Sequence, residues 1–465
     1  MFLKTTLLFC LTLCLFGSDC FAQKKTDEEL IAASQASASS VFFQFSSTEV
    51  PVVVPGSFYD DTECVVRGGL PQFFGNAKNN KTLRIAYLGG SITFSNVIYR
   101  TQSAKFIQSM FPGVKVEGIN AGVSGTDADL GVCRLYEHVL QYKPDLLFVE
   151  FAVNGGFAPG VEGIIRQTKK LSPLTSVCLI YTARADQLKI YGQGKVPEVI
   201  QGLERVADHY NIPSIHLAEE PAFLEKQGKL IGKSNLKSTD SLLVFSQDGV
   251  HPLQEGGNLY AAAIARAMAK LQGHKSVKSP DFPSPLFPDN WENAHMFEPL
   301  KGARFSGDWQ SIDPAQSGLG GFKTWFPYIM KAEKPGSEMT IKFKGNMFGF
   351  FDVGGPEAGQ LDLLVDGHPV KLSREGSSRY KIISGEGDNL NRFNSYCNNR
   401  YRGQFVCIEL PEGAHLVSLK ISGSSPDKKE VLGKNQLEDI TQNPAKYDRS
   451  VVYMGKILIR GELVD

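Results

Sequence analysis

Between Lys81 and Leu271, short apolar runs alternate with longer segments of mixed polarity, and after that the pattern changes. "TLRIAYL", "VKVEGI", "DLLFVEFAV", "TSVCLIYT" and "IPSIHLA" have strand length and are apolar almost throughout. Residues 102–110, 129–142, 160–171 and 196–210 have helix length, and 256–271 closes the region. Strands apolar on both faces, alternating with helices, predict a parallel sheet covered on both sides. The expectation is a three-layer α/β/α domain over 81–272. After His274, "KSVKSPDFPSPLFPDNWEN" places four prolines in a linker over 273–300. Beyond it, "MTIKFKGNMFGFFDV", "QLDLLVDGHPVKL", "RGQFVCIEL", "HLVSLKIS" and "VVYMGKILI" are runs divided by Gly, Asp and Asn turns. They predict a jelly-roll-like β-sandwich over 301–465. Residues 23–80 read as an extended, loop-rich segment that wraps one or both domains, and no repeat of fixed period is present.

Residues 1–22 carry one early lysine, an apolar run from Leu7 to Phe16 and a small residue at Ala22, the pattern of a cleaved secretory signal. The expectation is an exported protein, periplasmic or extracellular, with no membrane span, because no later stretch is apolar for long enough. Lys plus Arg and Asp plus Glu are each 49, so the formal charge is zero and nothing draws a nucleic acid over long range. Removal of the signal leaves five cysteines, Cys64, Cys133, Cys178, Cys397 and Cys407. Cys397 and Cys407 are spaced to bridge across a hairpin, and buried free thiols fit equally well. With no CxxC or HExxH spacing, no metal and no cofactor are expected.

Candidate chemistry enters at "AYLGGSITFSN", where an apolar strand breaks into Gly89-Gly90 and then offers Ser91. In an open parallel sheet, ligands bind beyond the carboxyl ends of the strands, which is where Ser91 falls. A dinucleotide fingerprint would need G-x-G-x-x-G, which "GGSITF" lacks. A tight turn with a capping serine is the plainer reading of this stretch alone. A nucleophilic serine needs a base, and the base needs a group to orient it. "SQDGVHPLQEGG" places Asp248 three residues before His251 ahead of a helix, the most suggestive setting among the eight histidines. Two further strand exits offer donors for an oxyanion: Gly122 in "EGINAGVSGTD" and the amide of Asn154 in "VEFAVNGG".

Together these four positions resemble the SGNH hydrolases, also called GDSL-type esterases. The matching blocks are Gly89-Gly90-Ser91-Ile92, Asn120-Ala121-Gly122, Asn154, and Asp248-Gly249-Val250-His251, and the resemblance spans residues 82–271. It implies Ser91 as nucleophile, His251 as base and Asp248 as its orienter. The backbone of Ser91 and Gly122 and the side chain of Asn154 would form the oxyanion hole. Two positions depart from the family: Gly90 stands where aspartate is usual before the serine, and Gly155 where aspartate often follows the asparagine. The G-x-S-x-G elbow of α/β-hydrolases is absent.

Exported members joined to a β-sandwich resemble carbohydrate esterases, so the expected substrate is a polysaccharide bearing acetyl or other small acyl groups. "NLNRFNSYCNNRYR" sets Arg392, Arg400 and Arg402 among asparagines with Tyr396 and Tyr401, a donor and ring set that suits sugars and carboxylated sugars. A polar strap between the domains is the competing reading of the same stretch. The alternatives in function are a lipid or small-ester acylhydrolase and a non-catalytic glycan-binding protein on a hydrolase scaffold. Because every proposed catalytic group lies between Ser91 and His251, a chain ending near Leu271 is expected to keep small-ester hydrolysis.

Overall fold

The computed structural model describes residues 41–96, 98–274 and 282–464. The signal sequence expected over residues 1–22 therefore lies outside the described residues, as does part of the expected linker. The α/β region contains, in chain order, β1 (Phe42–Phe43), β2 (Cys64–Val65), α1 (Pro71–Asn79), β3 (Thr82–Gly89), α2 (Ser91–Phe94), α3 (Arg100–Met110), β4 (Lys115–Gly122), α4 (Ala128–Cys133), α5 (Leu135–His138) and β5 (Leu146–Glu150). It continues with α6 (Ala158–Leu171), β6 (Ser176–Tyr181), α7 (Ala185–Tyr191), α8 (Glu198–His209), β7 (Ser214–His216), α9 (Glu219–Lys226), β8 (Leu230–Lys233), β9 (Leu243–Ser246) and α10 (Gln254–Gln272).

The main sheet has the order β1-β4-β3-β5-β6-β7-β2. Its five central strands are all parallel. Each residue of β5 and β6 is buried, as the unbroken apolar runs require of a sheet covered on both faces. The N-terminal segment closes both edges: β1 pairs antiparallel with β4 and β2 with β7. Pairing the edge strands removes the open ladders that would otherwise invite association. That segment is not extended throughout. Pro71 opens α1 at the first helical position, where its missing N–H costs nothing, and α1 buries Phe73 and Ala77.

The helix expected over 129–142 is broken into α4, α5 and a 3₁₀ turn, Leu140–Tyr142. Arg134 sits at the first break, fully buried, and donates to Ala121 O at 2.6 Å and Gly89 O at 3.1 Å. Tying the guanidinium to the carbonyls at two strand ends fixes the turn that follows the second strand of the domain. α7, α9 and the small β8–β9 pair escape the sequence pattern because each is short.

The second region is a twelve-stranded β-sandwich built on the long strands Glu338–Gly354, Arg402–Ile421 and Val452–Leu463. "RGQFVCIEL" and "HLVSLKIS" form one strand rather than two. The register of its partner slips between Gly345 and Met347, and this irregularity accommodates Pro411, which cannot donate to a ladder. One apolar core runs from the α/β sheet into a face of the sandwich through Trp291, Phe326, Phe351, Phe405 and Leu458, while a second lies within the sandwich. Polar ties cross the same boundary: Lys456 Nζ, with a side chain 2% exposed, meets Glu137 at 2.6 Å, and Trp291 N–H donates to Pro159 O. All five described cysteines are buried free thiols. Cys397 and Cys407 do not bridge, because Cys397 Sγ faces Gln404 Oε1 while Cys407 lies against Cys133 of α4.

Candidate active site

β3 ends at Gly89, and Ser91 opens α2 one residue later, at the carboxyl edge of the sheet. β9 ends at Ser246 and leads into the loop that carries Asp248 and His251 before α10. Residues 160 apart in sequence thus meet: Ser91 Oγ lies 2.6 Å from His251 Nε2, and His251 Nδ1 lies 2.6 Å from Asp248 Oδ2. An ionised carboxylate only accepts, so Nδ1 carries a hydrogen, and the tautomer with that one hydrogen presents Nε2 as an acceptor to the serine hydroxyl. Ser91 is 5% exposed and His251 9% exposed, enough for substrate to reach both.

Asp248 is itself held from several sides. Its Oδ1 accepts from Ser246 Oγ at 3.0 Å and from the N–H groups of Val250 and His251 at 2.8 Å each. Burial alone would raise this carboxyl, but hydrogen bonds from the His251 ring and the two backbone N–H groups hold it well below the usual carboxylate range. It remains an anion and so keeps the ring in one tautomer.

The turn beneath Ser91 rests on Glu150, which ends β5 and is fully buried. Its carboxylate accepts from Thr93 Oγ1 at 2.9 Å and Thr182 Oγ1 at 2.6 Å, and the Gly90 N–H adds a third bond. Burial pushes this carboxyl up, and those three donors oppose the shift. Glu150 is a supporting acid that sequence reasoning missed, since it lies within an apolar strand run.

The departures at Gly90 and Gly155 have a steric cause. A Cβ at Gly90 would lie 2.3 Å from Asn154 Oδ1, so the oxyanion-donor candidate occupies the space of the missing side chain. Gly155 has φ +124°, and a Cβ there would lie 2.5 Å from Asp127 Oδ2. Asp127 is buried, caps α4 and accepts from Ala128 N–H at 2.7 Å and Phe157 N–H at 3.4 Å.

One assignment changes. Gly122 is the last residue of β4, and its N–H donates to Asn120 Oδ1 at 3.0 Å. A Cβ on it would meet the Phe94 backbone, not a cavity. Gly125, three residues on with φ +72°, lines the cavity above Ser91, and its N–H has no hydrogen bond among the described residues. The backbone N–H of Ser91 is likewise unengaged, at the start of a helix. This leaves Ser91 N, Gly125 N and the Asn154 amide as the candidate donor set. The signal was present in "GVSG", where the second glycine is the one that leaves the strand.

Ser91, Asn154 and His251 open into a cavity of about 810 Å³ with walls from both domains. From the sandwich, Arg392, Tyr396, Arg400 and Arg402 line it, joined by Arg374, Tyr380 and Gln404. Tyr401 does not, because its hydroxyl donates to Glu357 at 2.7 Å and its ring packs near Tyr453. Arg392 is a paired cation, bound to Asp352 through two bonds of 3.1 and 2.6 Å.

No protein-family model matches the sequence, and no curated protein matches it. Among solved structures, the chain is similar to a two-domain esterase (CEX) active on acetylated mannans, crystallised with mannopentaose. Identity is 18%, coverage is 87% of this chain and 98% of that one, and the TM-score is 0.63. An acetylxylan esterase, Axe2, from Geobacillus stearothermophilus matches 43% of this chain and 97% of its own at 17% identity and a TM-score of 0.31. A lipase/acylhydrolase from Enterococcus faecalis matches 41% of this chain and 96% of its own at 22% identity and a TM-score of 0.30. The α/β/α layers, the strand order and the likeness over both domains give the chain the fold that it shares with this two-domain esterase, a parallel-sheet α/β domain joined to a β-sandwich.

Proposed function

We propose that the protein is a serine esterase that removes acetyl or other small acyl groups from a carbohydrate. The observation that carries this reading is the continuous Ser91–His251–Asp248 hydrogen-bond line at the floor of a cavity walled by both domains. In the reaction, His251 Nε2 takes the Ser91 proton while Oγ attacks the ester carbonyl carbon. The N–H groups of Ser91 and Gly125 and the Asn154 amide donate to the resulting oxyanion. His251 then returns the proton to the departing sugar oxygen as the carbon–oxygen bond breaks, leaving the acyl group on Ser91. Water, deprotonated by the same nitrogen, repeats the attack and releases the carboxylic acid.

A carbohydrate is favoured over a lipid by the walls, which combine asparagine and glutamine amides, arginines and the Tyr380 and Tyr396 rings. The fold shared with an esterase active on acetylated mannans points the same way. The reading includes export by the residue 1–22 signal; among the described residues no helix is long and apolar enough to cross a membrane. The test is acetate release from acetylated polysaccharides and hydrolysis of p-nitrophenyl esters of increasing chain length. The proposal predicts turnover that falls as the acyl chain lengthens and that Ser91→Ala abolishes. Equal turnover of long-chain esters would favour the lipid reading, and no turnover of any ester would favour a binding protein.

A further inference from the structure

We infer that the cavity contains a subsite for an anionic group on the sugar, a carboxylate or a sulfate ester, built around Arg402. The inference rests on the esterase reading for its substrate but not for its test. Four arginines line the cavity, Arg374, Arg392, Arg400 and Arg402, against one carboxylate, Asp248, which His251 already engages. Three of the four are held by the protein itself. Arg392 has Asp352, Arg374 donates to the carbonyls of Gly376 and Ser377, and Arg400 donates to Tyr396 O.

Arg402 is different. It is 8% exposed, and its one bond among the described residues is a long contact from Nε to Gly403 O at 3.4 Å. Burial pushes the guanidinium below its ordinary value, and the neighbouring cations Arg400 and Arg392 act in the same direction against the opposing pull of Cys397 and Tyr396. Arg402 lines the cavity with no carboxylate beside it among the described residues, and an anion bound there would pair with a guanidinium that burial has already stripped of much of its water. Its guanidinium carbon lies 4.8 Å from the centre of the Tyr396 ring, and its terminal nitrogens form a fork suited to an oxyanion. An added Cβ at Gly125 would lie 2.5 Å from its Nη2, so the fork stands beside the glycine proposed as an oxyanion donor. A sugar seated with its acyl group over Ser91 would therefore bring a charged substituent on the same or the next ring to Arg402.

The test is calorimetric titration of the full chain with three matched sugars: methyl galactoside, galacturonate and galactose 6-sulfate. Binding is measured without turnover, so its result and that of the esterase assay are independent. The inference predicts that one anionic sugar binds at least about tenfold tighter than the neutral one, a difference of about 1.4 kcal/mol. Which of the two wins identifies the carboxylate or the sulfate as the source. Arg402→Gln should bring the anionic sugar to the neutral value, Arg402→Lys should keep part of the preference, and the exposed Arg205→Gln should change nothing. If Arg402→Gln fails to fold, loss of the wild-type preference on raising salt decides the matter in its place. Equal binding of all three sugars by the wild type would overturn the inference. So would a preference that survives in Arg402→Gln, or one that high salt leaves intact.

Discussion

Gly90 and Gly155 show how a residue that departs from a pattern can belong to the same machinery. Asn154 fills the space beside Gly90, and Asp127, which caps α4, fills the space beside Gly155, so each glycine makes room for a neighbouring side chain. Restoring the usual family residue should therefore harm this protein: Gly90→Asp is expected to lower kcat more than about tenfold by displacing the Asn154 amide, with the melting temperature reporting any loss of fold. Asn154→Ala should lower kcat by about 10²- to 10³-fold with little change in KM, the usual loss for one oxyanion donor. A loss below about tenfold would remove Asn154 from the hole. At this scale the sequence was informative wherever a residue is both polar and placed at a strand exit, as Ser91, Asn154, Asp248 and His251 are. It misled at Gly122 because one glycine ends the strand and another follows it, and only their backbone geometry separates them. It was silent on Glu150, a carboxylate hidden in an apolar run.

At the scale of elements, the parallel strands were readable because burial on both faces leaves no alternation to confuse them, and β3 places Ser91 at the carboxyl edge, where the loop after the separate β8–β9 pair brings His251 to it. The 129–142 helix was misjudged because its periodicity continues through Arg134, whose inward turn depends on carbonyls from two other elements. The edge strand β2 was likewise unreadable, since two residues carry no period. Its neighbour Arg67 anchors that edge by donating to Glu204 of α8 at 2.8 Å. Burial would raise Glu204, but hydrogen bonds from His216, Ser214 and Arg67 lower it to about 2. A carboxylate depressed in the folded state contributes stability that is full above its unfolded value near 4.3 and lost as pH falls towards 2. Glu204→Gln should therefore lower the urea midpoint at pH 7, and its difference from wild type should shrink between pH 4.5 and pH 2. A difference that stays constant over that range would show that the pair contributes nothing through charge.

For the whole molecule, two regions of different pattern were evident from the sequence, but not how they join. The core they share and the sandwich arginines above Ser91 depend on packing between segments some 300 positions apart in the chain. This alters the outcome expected for a chain ending at Leu271. Such a chain retains the serine, histidine and aspartate, but it strips Phe157 of Trp291 and Arg379, and Glu137 of Lys456. The exposed apolar face should make it aggregate and lose small-ester and polysaccharide activity together, as light scattering and both assays would report. A soluble fragment that hydrolyses p-nitrophenyl acetate would show instead that the sandwich only positions the glycan. The central claim, that Ser91 is a nucleophile activated by His251 and Asp248, is tested most directly by reacting the full chain with a fluorophosphonate and locating the adduct by mass spectrometry. The account predicts one phosphonyl group on Ser91 in the wild type and none in His251→Ala; an unmodified Ser91, or labelling that persists without His251, would contradict it.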